Sequence, residues 1–161
     1  MKHLLAFIRN TRGVATIEFA LTSLFLFGTI MVVLDFGYNI QQRVKLGQAV
    51  EQGSILAFNQ QPGANTTPIS NYVKAAAGTQ STPTVTITCN TSSCGDGKCS
   101  CINASGNFVA ANTCNTACPG SSAISGNYMK IVATTPYQAV IVPNKWLGGT
   151  SITSSAVVRL Q

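Results

Sequence analysis

The sequence predicts an α+β protein in which a long N-terminal transmembrane helix extends into a small domain with a short antiparallel sheet and a disulfide-stapled loop. Three observations support this fold class. An apolar run occupies residues 14–34, short β-branched segments recur in the second half of the chain, and all six cysteines lie between residues 89 and 118. Because the helical patterns precede the strand patterns, separate helical and sheet layers are expected.

The apolar run is long enough to cross a membrane. The sixteen residues Phe19 to Leu34 contain no charge, and Glu18 and Asp35 flank them. Counted from Val14, the segment has 21 residues and covers about 31 Å as a helix, close to the hydrocarbon thickness of a bilayer. A carboxylate placed where lipid should begin costs on the order of 3 kcal/mol, so Glu18 calls for an explanation.

Residues 1–13 have the composition of a basic leader. Lys2, Arg9 and Arg12 precede the apolar run, and no acid occurs among the first 17 residues. Cations on one flank favour the cytoplasm, so we expect single-pass insertion in the inner membrane with the N-terminus cytoplasmic and the C-terminal domain extracytoplasmic. A secretory signal peptide is cleaved after its apolar region, whereas Gly13 lies before it, so the helix would survive processing.

Glu18 has two interpretations that the residues alone leave open. Cleavage between Gly13 and Val14 would create an α-amino group one helical turn from Glu18. In a low-dielectric assembly, the carboxylate would then pair with the Val14 amine of a neighbouring subunit. Alternatively, Glu18 lies among lipid headgroups and caps the positive end of its own helix.

The N-terminal segment resembles a known family, the TadE-like pseudopilins, which are minor pilins of the tight-adherence branch of the type IV pilin superfamily. The resemblance covers residues 12–58, is weaker over 127–161, and is absent from the cysteine-rich middle. It implies cleavage after Gly13 by a prepilin peptidase, assembly with other pilin or pseudopilin subunits, and a role for Glu18 as the acid of the motif. The residues that carry it are Gly13-Val14-Ala15-Thr16-Ile17-Glu18-Phe19-Ala20-Leu21, Leu34-Asp35-Phe36-Gly37 and Ile152-Thr153-Ser154-Ser155-Ala156-Val157-Val158-Arg159.

The helix is expected to continue beyond the membrane as a spine. No proline occurs before Pro62, so nothing in the preceding residues must break it. One face carries an apolar stripe at helical spacing, which we expect to pack on the protein's own domain rather than on another subunit. The stripe is Leu46, Ala49, Val50, Gly53, Leu56 and Ala57, and the predicted polar face is Gln41, Gln42, Arg43, Lys45, Gln48, Glu51 and Gln52.

The remainder of the chain reads as one small domain. We predict a leader over 1–13, a transmembrane helix and helical spine over 14–60, and an extracytoplasmic α+β domain over 61–161. After a turn-rich linker, Thr67 is the expected N-cap of a short helix that Gly78 closes. Strands are expected over 83–88, 129–134, 138–142 and 152–160, and the window 89–118 is expected to be loop.

The cysteines favour a disulfide framework. An even number of clustered cysteines is typical of an oxidising compartment. Six cysteines allow 15 pairings, and the sequence does not choose among them. Zinc is disfavoured because paired CxxC knuckles are missing from the sequence. The predicted disulfide residues are Cys89, Cys94, Cys99, Cys101, Cys114 and Cys118.

The residue inventory disfavours an enzyme. Beyond Asp35 the acids are Glu51 and Asp96, and the single histidine is His3, so no catalytic residue, metal site, cofactor or small-molecule substrate is predicted. The net charge is +6, but the basic residues are scattered, which disfavours nucleic acid. Tyr137 and Phe108 fit core or strand-end positions as well as receptor contacts, and for Trp146, beside Leu147, a core or strand-end position is favoured.

Two functions remain after these exclusions. The favoured function is a membrane-anchored, non-enzymatic pseudopilin in the assembly of a tight-adherence, Flp-type pilus. The alternative is a membrane-tethered extracytoplasmic binding module that is not incorporated into a filament. The mature N-terminus discriminates them, because it is Val14 for a pseudopilin and Met1 for a plain anchor.

Overall fold

The computed structural model describes residues 13–60, 65–90, 94, 98–103, 105–120 and 122–160. The predicted basic leader up to residue 12 and the linker residues 61–64 lie outside the described residues. The α+β class is confirmed, with a long N-terminal helix ahead of a small antiparallel sheet. The elements are α1 (Val14–Asn59), α2 (Thr66–Ala76), β1 (Thr84–Cys89), β2 (Cys99–Ile102), β3 (Phe108–Ala111), β4 (Tyr128–Pro136), a 3₁₀ turn (Asn144–Leu147) and β5 (Ser151–Arg159).

Helix α1 runs without interruption for 46 residues. Its length is about 69 Å at the helical rise, enough for a membrane span and a further spine. The helix ends at Asn59, where the N–H of Gln60 donates to the carbonyl of Ala57 at 3.2 Å. The expected continuous helix is therefore present.

The start of α2 corrects one sequence prediction. The N-cap is Asn65, not Thr67, because the Asn65 side-chain oxygen accepts from the N–H of Thr67 at 3.1 Å. Pro68 then lies in the first turn, where its missing N–H leaves no helical hydrogen bond unmade. Gly78, just past the helix, has a φ of +51°, the conformation that glycine supplies at a helix end.

The main sheet has three antiparallel strands in the order β1-β4-β5. Thr84 faces Thr134 across one ladder, and Tyr128 faces Arg159 across the other. These strands confirm three of the four predicted strand segments, with ends shifted by one or two residues. Long central strand β4 therefore joins the two outer strands.

The fourth predicted strand, residues 138–142, was wrong. These residues form an irregular loop, because the N–H groups of Val140, Ile141 and Val142 donate to the Asp35 carboxylate and not to a neighbouring strand. We refer to residues 138–142 as the clamp loop. The apolar run Val140 to Val142 is therefore held by hydrogen bonds to a side chain and not by strand pairing.

The cysteine window also differs from its prediction as loop throughout. Strands β2 and β3 form a second, two-stranded antiparallel sheet in which Cys99 faces Ala111 and Ile102 faces Phe108. The apolar and aromatic residues Ile102, Phe108 and Val109 suit short strands. Covalent links and a hairpin together order this region.

The hydrophobic core lies between the inner half of α1 (residues 35–59), helix α2 and the main sheet. The predicted stripe does pack on the protein's own domain, and Leu56 is half-buried at its edge. Gly53 allows the close approach of α2, since a Cβ there would collide with Val73. Gln42 was predicted on the polar face and is instead buried. The most deeply buried large side chains are Leu46, Val50, Ile69, Val73, Met129, Ile131 and Ile152.

Candidate functional site

The outer half of α1, residues 14–34, contributes no residue to the hydrophobic core described above. Its side chains are exposed throughout, apart from the half-buried Ser23. Within the part of the chain that the structure describes, α1 is the one helix long and apolar enough to cross a membrane, and its most apolar window has none of its residues buried. An apolar surface of this size requires lipid or other apolar helices around it.

The predicted processing site lies at the start of this half. Gly13 immediately precedes the first residue of α1, and Val14 is half exposed. No atom outside its chain neighbours lies within 4 Å of a Cβ built on Gly13. The Gly13–Val14 bond is therefore accessible from outside the fold.

Glu18 is exposed, one helical turn beyond Val14. Its backbone carbonyl accepts from the Thr22 hydroxyl at 2.7 Å, which is a local contact within the helix. None of the described residues forms an ion pair with its carboxylate. The carboxylate is thus free to bind a cation from outside the chain.

A second acidic position, Asp35, forms the junction between the two halves of α1. The Asp35 Oδ2 atom accepts from the N–H of Ile141 at 2.7 Å and of Val142 at 2.9 Å, and Oδ1 accepts from the N–H of Val140 at 3.2 Å. Three donors converge on one carboxylate that is itself almost fully buried. Charge-assisted hydrogen bonds of this kind are stronger than neutral ones, so Asp35 ties the clamp loop to the helix.

Tyr137, the residue that precedes the clamp loop, also bonds to Asp35. Its hydroxyl donates to the backbone carbonyl of Asp35 at 3.2 Å, and its ring centroid lies 6.2 Å from that of Tyr38. Burial, together with the negative charge of Asp35, raises the pKa of the Tyr137 phenol above its usual range. The phenol therefore stays protonated at neutral pH and keeps its hydrogen bond.

A second tie lies two helical turns further along α1. Arg43 donates through one terminal nitrogen to the carbonyl of Leu147 at 2.9 Å, and through Nε to Asn39 Oδ1 at 2.9 Å. A Cβ on Gly148 would approach that guanidinium to 2.8 Å, and Gly148 has a φ of +89°. The segment 138–148 is thus fastened to α1 at both ends.

The six predicted cysteines form three disulfides, Cys89–Cys94, Cys99–Cys114 and Cys101–Cys118. Cys99 and Cys101 are two residues apart on β2, so they lie on the same face of the strand. Both reach the segment that follows β3, which ties the hairpin to the loop beyond it. Among the described residues, no cluster of three or more histidine, cysteine or acidic side chains has a metal-site arrangement.

Sequence reasoning identified the disulfide cysteines but missed the clamp at Asp35, and the roles of Gly13, Val14 and Glu18 stay predictions. The structure does not bring Asp35 near Glu18, because the sixteen helical residues Phe19 to Leu34 lie between them, a rise of about 26 Å. The available signal was an isolated acid directly after an uncharged apolar run. Trp146 was expected in the core or at a strand end, and it is instead exposed on the 3₁₀ turn.

The fold and these features define a protein with one candidate membrane-spanning helix joined to a small, disulfide-bonded α+β domain. A family model described as TadE-like protein matches residues 13–54. The predicted resemblance is confirmed over that segment, which is about a quarter of the chain.

The matched segment covers the outer half of α1 and most of its inner half. It stops before α2, so the similarity of the C-terminal strand to the family stays a prediction. No curated protein and no solved structure matches the chain significantly.

Proposed function

We propose that the chain is a pseudopilin that acts, without catalysis of its own, in the assembly of a tight-adherence, Flp-type pilus. One observation carries the proposal: an exposed apolar half-helix begins directly after Gly13 and holds a single unpaired carboxylate, Glu18. The TadE-like match spans this segment. A helix of this kind can lie in lipid before assembly and among other apolar helices after it.

The proposal includes an orientation and a division of the chain. Residues 1–13 are a cytoplasmic leader, the helix over 14–60 crosses the inner membrane, and the domain over 61–161 lies outside the cytoplasm. The basic residues of the leader support this orientation. The three disulfides support it too, because such bonds persist in oxidising compartments.

Leader removal is the first proposed step. A prepilin peptidase cleaves after Gly13, which is exposed and lacks a side chain that would obstruct an extended path through a peptidase groove. The cleavage places a positive α-amino group on Val14. The new charge lies four residues, or about 6 Å of helix rise, from Glu18.

Charge pairing between subunits is the second proposed step. When the outer halves of several helices pack together, the Val14 amine of one subunit and Glu18 of its neighbour enter a low-dielectric environment. Each then needs the other, because an unpaired charge there costs several kcal/mol. The pairing sets the register of one pilin or pseudopilin helix against the next.

Replacing Glu18 tests the pairing. We expect Glu18→Leu to insert and be cleaved like the wild type, since it removes a charge from lipid. Its recovery in sheared filaments, or in cross-linked complexes with other pilins, should fall roughly a hundredfold, the equivalent of about 3 kcal/mol for a charge left unpaired. Glu51→Leu is the matched control, because Glu51 is an exposed acid on the inner half of the same helix.

The N-terminus of the membrane-extracted protein tests the cleavage. We expect Val14 in the wild type and an uncleaved chain in Gly13→Leu, both read by mass spectrometry. Val14 as the N-terminus of Gly13→Leu would show that the site is misassigned. An uncleaved wild-type chain, together with equal recovery of Glu18→Leu, would favour the alternative of a membrane-tethered binding module.

A further inference from the structure

The clamp loop exposes apolar side chains directly beside the membrane-spanning half of α1. Val140 is 87% exposed and Ile141 is 52% exposed, while Val142 is buried and holds the loop to the core. The loop itself, residues 138–142, contains no charged residue. Two adjacent large apolar side chains are thus exposed together at the loop tip, next to the apolar surface of α1.

The Asp35 clamp sets the level of this loop along the helix. Asp35 is the first charged residue after the uncharged run Phe19 to Leu34, so it marks the end of the apolar span. Side chains on a helix point back toward its N-terminus, so the Asp35 carboxylate is displaced toward the membrane from its own Cα. The three N–H donors of the loop lie within 3.2 Å of this carboxylate, so the loop is held at the level where the apolar span ends.

The groove between the helix and the loop joins the two surfaces. It has a volume of about 410 Å³, and its lining includes Met31 and Leu34 of the apolar span as well as Val140 and Ile141 of the loop. Met31 lies one helical turn inside the span from Asp35. The loop tip is thus continuous with the surface that lipid covers.

The hydrogen bonds of the clamp also lower the free-energy cost of placing the loop tip in lipid. A backbone N–H without a partner is strongly disfavoured in an apolar environment. In the clamp loop, the N–H groups of Val140, Ile141 and Val142 already donate to Asp35. The tip therefore presents apolar side chains without exposing those three donors.

The neighbouring 3₁₀ turn has the composition of the adjacent interface. Its exposed residues Lys145 and Trp146 are types enriched where membranes meet water. Arg43 bonds both the Leu147 carbonyl and the side chain of Asn39, which lies one turn beyond Asp35, so this turn lies about 6 Å beyond Asp35 along the helix. That spacing matches the headgroup region rather than the hydrocarbon.

We infer that the tip of the clamp loop, Val140 and Ile141, inserts into the boundary between acyl chains and headgroups of the same bilayer that α1 spans. The protein then has two membrane contacts, one helical and one peripheral. The second contact fixes the rotation and tilt of the α+β domain against the membrane surface. It does not depend on the pseudopilin role, since it requires only that α1 crosses a lipid bilayer.

Side-chain footprinting of the unsubstituted chain tests the insertion. The full chain is placed in nanodiscs of phosphatidylcholine and phosphatidylglycerol at one copy per disc and labelled with hydroxyl radicals. Ile141 and Ile124 form a matched pair, because they are the same residue type and are 52% and 45% exposed. We expect several-fold lower labelling of Ile141 than of Ile124, whereas equal labelling would overturn the inference.

Fluorescence gives an independent measurement. The chain has one tryptophan, so Val140→Trp in a Trp146→Phe background reports on the loop alone. In vesicles with brominated acyl chains, we expect its emission to be quenched at least twofold more than that of Val109→Trp in the same background, because Val109 is half exposed on the distant β3 strand. Equal quenching would place the loop in water.

In the footprinting experiment, protection of Ile141 that appears only at several copies per disc would identify a second copy as the occupant and would also overturn the inference.

Discussion

The two halves of α1 have the same secondary structure and opposite surroundings. In the outer half Leu24 is 74% exposed, whereas in the inner half Leu46 is fully buried against the sheet. The outer half carries exposed large apolar side chains on all its faces, whereas the inner half places Leu46 and Val50 in the core and leaves scattered apolar residues such as Ile40 exposed. The same helix therefore forms with or without packing partners, and the distribution of apolar residues around it determines whether it packs on the domain or stays exposed.

Truncating a leucine in each half should show the largest contrast. Leu46→Ala leaves a cavity in the core and should lower the free energy of unfolding by about 2–5 kcal/mol. Leu24→Ala removes side-chain atoms that contact no other part of the fold, so the change should stay within about 0.5 kcal/mol. Denaturant unfolding of the full chain in micelles, followed by near-UV circular dichroism, measures both. Comparable losses for the two variants would refute the distinction.

Two glycines of the inner half sharpen the comparison within the packed region. Gly53→Ala forces a methyl group into Val73 and should cost about 1–3 kcal/mol. At Gly47 the nearest atom to an added Cβ is the Ser154 hydroxyl at 3.9 Å, so Gly47→Ala should gain up to about 1 kcal/mol from helix propensity. In the same unfolding experiment, the free energy of unfolding should fall for Gly53→Ala and rise for Gly47→Ala. A stable Gly53→Ala chain would mean that α2 can move away without loss.

The junction between the halves should respond to loss of the clamp. Asp35→Ala removes the acceptor for three N–H groups and should lower the Tm of the α+β domain by roughly 5–10 °C. Glu51→Ala removes an exposed carboxylate from the same helix and should change the Tm by less than about 2 °C. Amide exchange at residues 140–142 gives a local readout, and unchanged protection there in Asp35→Ala would contradict the clamp.

Alkaline pH should produce the smallest effect at the junction. The pKa of Tyr137 is raised in the folded protein, so above pH 10 or so the unfolded chain loses a proton that the folded chain retains. The contribution of Tyr137 to stability is then fully present below that pH and is lost as the pH rises through the raised pKa of the folded protein. Tyr137→Phe should lose about 3 °C in Tm at neutral pH and show a shallower decline above pH 10. A decline as steep as that of the wild type would assign the alkaline loss to other groups.

Predictability from sequence followed the range of the interactions involved. The span of α1, its packing stripe and three strands were predictable because hydropathy and periodicity are carried by adjacent residues. The clamp loop was misassigned as a strand because Val140 to Val142 have strand-forming side chains, and their partner lies about 105 residues away. Gln42 was misassigned for a similar reason, since its burial depends on what packs beside it.

By itself, the sequence determined that a long helix, whose apolar span is flanked by Glu18 and Asp35, leads into an α+β domain held by disulfides. Local propensity, hydropathy and cysteine count are sufficient for these properties. Only the tertiary structure decided which cysteines pair, that Asp35 binds the clamp loop, and that Val140 and Ile141 lie beside Met31 at the end of the span. These contacts join residues distant in sequence, and nothing in either partner's immediate neighbourhood specifies the other.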